Sequence, residues 1–117
     1  MTHPTELGRP SVDLLRDTEV ADWLEGRDPA ALYFWDETDA PCQRHRPRME
    51  VVAASANVPV GVLDVRTDAL VAQALGVKSV PALVVFRAGD VIERVLGAAP
   101  ENILREALGA DGPHPPR

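Results

Sequence analysis

A single cysteine, Cys42, is present among 117 residues. An internal disulfide is therefore excluded, and a lone thiol fits a reducing cytoplasm. The three histidines, His3, His45 and His114, are scattered along the chain. With only one sulfur to join them, no zinc or other metal site is expected. No Gly-rich phosphate loop precedes a helix, and no cofactor is expected. Nothing marks a Ser-His-Asp set. No apolar run approaches the roughly 20 residues that span a bilayer, so no membrane association is expected. Met1 to Glu6 lack a basic segment followed by an apolar stretch, so no signal peptide is expected. Basic residues are outnumbered 12 to 18 by acidic ones, giving a net charge of -6. That balance argues against a general nucleic-acid binder. No internal repeat is found.

The rest of the composition is ordinary for a small globular domain. Hydrophobic residues make up 45%, enough for one core, and charged residues 26%. Residues 1–10 hold two prolines and a glycine and read as a flexible segment. Residues 110–117 read as a disordered, Pro-rich tail. Helix and strand patterns alternate over the domain between them, residues 11–109. Ser11 to Leu15 reads as a short edge strand. Thr18 is a candidate N-cap for a short helix over 19–24, ended by Gly26. Ala30 to Trp35 is a buried strand, followed by a helix from about Asp39 to Ala56 with Pro47 inside it. Val58 to Val65 is a second apolar, β-branched run. Thr67 and Asp68 are cap candidates for a helix over 69–75, stopped by Gly76. Ala82 to Phe86 and Val91 to Leu96 form a hairpin whose turn, Arg87 to Asp90, places Gly89 where positive φ is needed. Pro100 opens a helix over 101–108. The order β-α-β-α-β-α-β-β-α predicts an α/β fold, a mixed sheet with helices on both faces.

Asp39-Ala40-Pro41-Cys42 follows the first buried strand. The spacing is that of a C-x-x-C motif with only its second sulfur. Phe34-Trp35 with the Pro41-Cys42 pair resembles the F-W-x-x-W-C-G-P-C segment of thioredoxins. Pro47 matches that family's helix proline. Gly76-Val77-Lys78-Ser79-Val80-Pro81-Ala82-Leu83-Val84-Val85-Phe86 resembles its G-I-x-x-I-P-T-L-x-x-F stretch. Gly89 and Gly97 match two further glycines. The resemblance covers roughly residues 11–109 and implies a thioredoxin fold with a cis bond before Pro81.

The departures from that family gather at one place. Asp39 replaces the attacking cysteine and Ala40 the glycine. Thr38 stands where a second tryptophan is usual. Tyr33 stands where a buried aspartate helps to move protons, and Val62 where its lysine partner is usual. Disulfide reduction needs a thiolate to attack and a second thiol to resolve. An aspartate cannot attack in this way, so dithiol reductase activity is not expected.

Asp39 at a helix start favours an N-cap role over a catalytic one. Two readings of Cys42 stand. As a buried sulfur it is a small hydrophobe. As an exposed one it is a redox thiol, open to a mixed disulfide or glutathionylation. The helix N-terminus, His45 and the nearby arginines would then lower its pKa, and Asp36, Glu37 and Asp39 would raise it. Arg44, His45, Arg46 and Arg48 cluster on the helix that follows. They read either as a solvated face or as a docking patch for an acidic partner. The resemblance also implies a groove for an extended peptide, lined by Trp35, Thr38, Ala40, Pro41, Ser79, Val80, Pro81 and Gly97, with Val80 offering its backbone. The expected function is a peptide- or protein-binding adaptor or chaperone, acting as a monomer or weak dimer. The alternative is a single-cysteine redox protein.

Overall fold

The computed structural model describes residues 12–109. The expected flexible segment over 1–10 and the tail over 110–117 lie outside them. Five strands form one sheet: β1 (Val12–Leu14), β2 (Ala30–Trp35), β3 (Val60–Asp64), β4 (Ala82–Arg87) and β5 (Asp90–Leu96). Four helices accompany them: α1 (Val20–Leu24), α2 (Ala40–Ala56), α3 (Leu70–Ala74) and α4 (Glu101–Leu108). The strand order is β1-β3-β2-β4-β5. β3 runs parallel to both β1 and β2, while β2–β4 and β4–β5 are antiparallel. This is the mixed α/β sheet that the element order predicted, with every strand and helix found within a few residues of its expected place.

Strand alternation divides the apolar side chains between two layers. Ala31, Tyr33, Val60, Val62, Leu83 and Val85 point to one face, where Met49 and Val52 of α2 and Leu104 and Leu108 of α4 cover them. Ala30, Leu32, Phe34, Leu63, Val84 and Phe86 point to the other, under Val20 and Trp23 of α1 and Ala72 of α3. The central strand β2 is buried on both sides, which is why it reads as a continuous apolar run. Gly61 lets the Leu15 side chain cross β3, since a Cβ there would overlap Leu15 Cδ1.

The caps expected at two helix starts are corrected. Thr18 makes no cap among the described residues; it lies inside a 3-10 turn over Asp17–Glu19, at whose start the Arg16 amide donates to Glu19 Oε1 at 2.7 Å. The start of α3 takes no cap from Thr67 or Asp68, its N-cap position being Ala69 without a side-chain bond. The amides of Leu70 and Val71 donate instead to the Asp17 carboxylate, both at 3.0 Å. Asp68 acts in the opposite direction, its Oδ1 accepting from the Asp17 amide at 2.8 Å. Local sequence cannot reveal a cap that comes from more than 50 residues away.

The hairpin turn is tight. Ala88 and Gly89 have φ of 54° and 83°, the two left-handed residues of a type I′ turn. The Ala88 amide donates to Asp28 Oδ1 at 2.8 Å. Along β5 the register skips Ile92, because Val85 pairs with Glu93 while Phe86 pairs with Val91.

Candidate functional site at the start of α2

Register brings the candidate residues together. Phe34 of β2 pairs with Ala82 of β4, and Ala82 pairs with Leu96 of β5. The next residues outward are Trp35, Pro81 and Gly97, so all three sit at one end of the sheet. The Gly97 amide donates to the Pro81 carbonyl at 2.8 Å, which fixes the β5 exit against the Val80–Pro81 loop. Gly97 has φ of 88°, a conformation that a side chain would strain. The Val80–Pro81 peptide is cis, as the resemblance implied. Pro81 is buried, Val80 half-buried and Ser79 exposed. The amide and carbonyl of Val80 take no part in the backbone hydrogen bonds of this loop.

Across from that loop, β2 leads through Asp36–Thr38 into α2. Asp39 is the N-cap, in extended backbone, and its Oδ2 accepts from the Cys42 amide at 3.1 Å. Such a cap contributes about 1 kcal/mol to a helix start. Ala40 and Pro41 follow as the exposed first turn. Thr38 turns back on its own loop, its amide and Oγ1 both donating to Asp36 Oδ1 at 2.8 and 2.6 Å. Arg66 ties the loop to the end of β3, reaching Glu37 at 3.1 Å and Asp64 at 2.9 Å. Its hydrogen bonds hold the Asp64 carboxyl below the ordinary value of 3.8.

Cys42 lies directly behind this turn with no solvent exposure. Burial pushes its thiol above the ordinary 9.0, and the Asp39 and Asp36 carboxylates push the same way, against one backbone hydrogen bond at Asp36. The helix N-terminus and the nearby arginines do not prevail over burial.

The basic cluster on α2 requires a correction. His45 is 3% exposed and cannot belong to a docking patch. Its Nε2 donates to the Ala99 carbonyl and its Nδ1 meets the Tyr33 hydroxyl, each at 2.8 Å. A carbonyl only accepts, so Nε2 carries the hydrogen, and Nδ1 is left to accept from the Tyr33 hydroxyl. Arg46 is engaged as well. Its guanidinium lies 4.5 Å over the Trp35 ring and pairs with Glu50 at 2.7 Å. Arg44 and Arg48 are exposed, and neither has an ion-pair partner among the described residues.

Tyr33 is fully buried. Burial first, and then the Cys42 sulfur nearby, keep its hydroxyl protonated well beyond the ordinary 10.0. Tyr33 and His45 thus form a closed polar contact beneath the site, which sequence reasoning missed. The signal was present: Cys42, His45, Met49 and Val52 follow helical spacing, and all four are buried. Among the described residues no group of His, Cys, Asp and Glu is arranged to hold a metal ion, and no helix is long and apolar enough to cross a membrane.

Comparison with known proteins identifies the surroundings of this site. The Thioredoxin family model matches residues 12–110. A thioredoxin of Streptomyces clavuligerus is 31% identical over 100 residues, which cover 85% of this chain and 90% of that protein. Thioredoxin 1 of Synechococcus elongatus is 32% identical over 87 residues, covering 73% and 81%. Among solved structures, a mutant thioredoxin from Halobacterium salinarum superposes with a TM-score of 0.78 at 28% identity, covering 99% of both chains. Thioredoxin f from spinach chloroplast, at 21% identity, superposes with a TM-score of 0.76 over 89% of this chain and 96% of that one.

Proposed function

Because the chain belongs to the thioredoxin family, we propose that it keeps the family's peptide groove and lacks dithiol-disulfide reductase activity. It acts as an adaptor or chaperone for a protein partner. One observation carries this reading: Asp39 occupies the attacking position as a helix cap, with Cys42 sealed behind it. The carboxylate fills the anion-favouring end of α2 that a thiolate would otherwise use. The backbone of Val80, without a hydrogen-bond partner among the described residues and with Trp35, Pro81 and Gly97 beside it, supports binding of an extended segment by strand addition. Exposed Arg44 and Arg48 on the outer side of α2 support an acidic partner, whose approach they would steer. The lone thiol fits a reducing cytoplasm.

The second reading, a single-cysteine redox role, meets two obstacles. The sulfur has no exposed surface and its thiol is held protonated at neutral pH. The deciding experiment is reduction of insulin disulfides by dithiothreitol, with the protein beside its Asp39→Cys variant. Background rate for the former and a partial gain for the latter are expected. Clear turnover by the unaltered protein would refute the proposal. Arg44→Glu combined with Arg48→Glu tests the partner's charge. Unchanged recovery of an identified partner would remove that part.

A further inference from the structure

On the sheet face opposite α2 and α4, an apolar groove of about 440 Å³ runs between α1 and α3. Leu32 and Phe86 of the sheet form its floor. One wall carries Val20 and Leu24, one helical turn apart; the other carries Val71 and Leu75, also one turn apart. Leu70 stands on the rim, 70% exposed. Toward the hairpin turn the groove continues into a second section of about 310 Å³, where Asp22, Glu25 and Arg27 join the lining. None of Trp35, Asp39, Val80 or Gly97 lines either section.

We propose that this groove receives the apolar face of a basic amphipathic helix belonging to a partner protein. Three features select that occupant. The floor is made by mid-sheet side chains with no free strand edge, so an added strand would find no backbone partners. Both walls present ridges spaced by one turn, about 5.4 Å, which matches the i, i+4 ridges of a third helix. The unpaired carboxylates gather on the α1 side, while Arg94 meets the far wall, its Nε donating to the Leu75 carbonyl at 2.9 Å. Asp22 and Glu25 stand exposed on the α1 side, and neither makes an ion pair among the described residues. The third carboxylate of the lining, Asp17, is occupied by the α3 amides. Arg27, the cation of the lining, is drawn onto the Trp23 ring at 4.8 Å and donates to the Trp23 carbonyl. The wall formed by α3 itself carries no charged residue. A helix with lysines or arginines flanking one side of its apolar stripe therefore satisfies both the groove and its acidic lip.

The site is separate from the Val80 groove, so the two proposals stand or fall apart. The test is a titration of the isotopically labelled protein followed by amide chemical shifts. The probe is a synthetic Leu/Lys amphipathic helix of about 14 residues, some four turns. Its Leu/Glu counterpart is the control. Saturable shifts confined to α1, α3 and the Phe86 region are expected for the Leu/Lys peptide alone. Asp22→Lys with Glu25→Lys should weaken binding by about tenfold or more. Ala21→Trp, an exposed position on the wall, leaves net charge unchanged and should abolish binding by filling the groove. Equal binding of both peptides, shifts spread over the whole acidic surface, or indifference to Ala21→Trp would overturn the proposal. So would a concentration-dependent dimer dissociated by Leu70→Lys, because it would assign the groove to a second copy of the chain.

Discussion

The Tyr33 hydroxyl donates to His45 Nδ1 at 2.8 Å, joining the central strand to the helix that covers it. The two rings are stacked, with centroids 5.9 Å apart. His45 in turn reaches Ala99 before α4, so one side chain connects β2, α2 and the approach to α4. Tyr33→Phe removes the donor and leaves a buried acceptor without a partner, at a cost of about 1–3 kcal/mol. Adding His45→Leu should recover part of that loss, because the half-buried Ala99 carbonyl is the one group then left open. Urea unfolding of the two single variants and the double variant gives the coupling. Strictly additive losses would mean that the contact contributes nothing.

Cys42 is expected to resist alkylation in the folded protein at neutral pH and to react readily in urea. Its thiol titrates above the ordinary 9.0 when folded and near it when unfolded. The unfolded chain therefore gives up this proton first. The stability that Cys42 contributes is fully present below that pH and is lost as pH rises through the folded value. Iodoacetamide labelling from pH 7 upward, followed by mass spectrometry, checks both statements. Rapid labelling of the folded protein at pH 7 would contradict them and revive the monothiol reading.

Asp17 and Asp68 cap each other's turns, the former at α3 and the latter at the 3-10 turn. Asp17→Ala should destabilise by about 1 kcal/mol, a typical loss for a helix cap. Asp68 adds a pH dependence. The Asp17 amide, Thr67 hydroxyl and Arg16 guanidinium hold its carboxyl below the ordinary 3.8. Its contribution is therefore present above that value and is lost as pH falls through the folded one. Asp68→Asn should flatten the acid side of the stability profile measured by urea unfolding. An unchanged acid limb would show that other carboxylates set it.

Ala88 holds a left-handed conformation that favours Asn or Gly. Ala88→Asn should raise stability by about 0.5–1 kcal/mol, since it relieves backbone strain without altering the Asp28 contact to the amide. A urea midpoint that stays put or falls would show that the turn carries no such strain.

How much of this was legible beforehand depended on how local each signal was. Ala30–Trp35, the α2 cap at Asp39 and the hairpin around Gly89 were all readable, because period, cap chemistry and turn chemistry act within a few residues. That Asp39 rather than a cysteine opens the Asp39–Cys42 turn was readable for the same reason. Asp17 was not, because its partners Leu70 and Val71 are brought near only by the completed sheet. His45 was misread through its charge type. Four basic-type residues in a short stretch suggested one surface, whereas helical geometry turns His45 inward with Cys42 and leaves Arg44 and Arg48 outside.

The skipped residue in β5 has an effect on neighbouring molecules. A sheet margin with a row of unsatisfied amides and carbonyls is a template on which another chain can crystallise, strand upon strand. Here one margin, β1, is only three residues long. The other is broken at Ile92, where the bulge bends the strand away from a flat docking line. Among the described residues neither margin offers a long, flat line for lateral growth, which offsets the exposure of Ile92 and Leu96 on the β5 side.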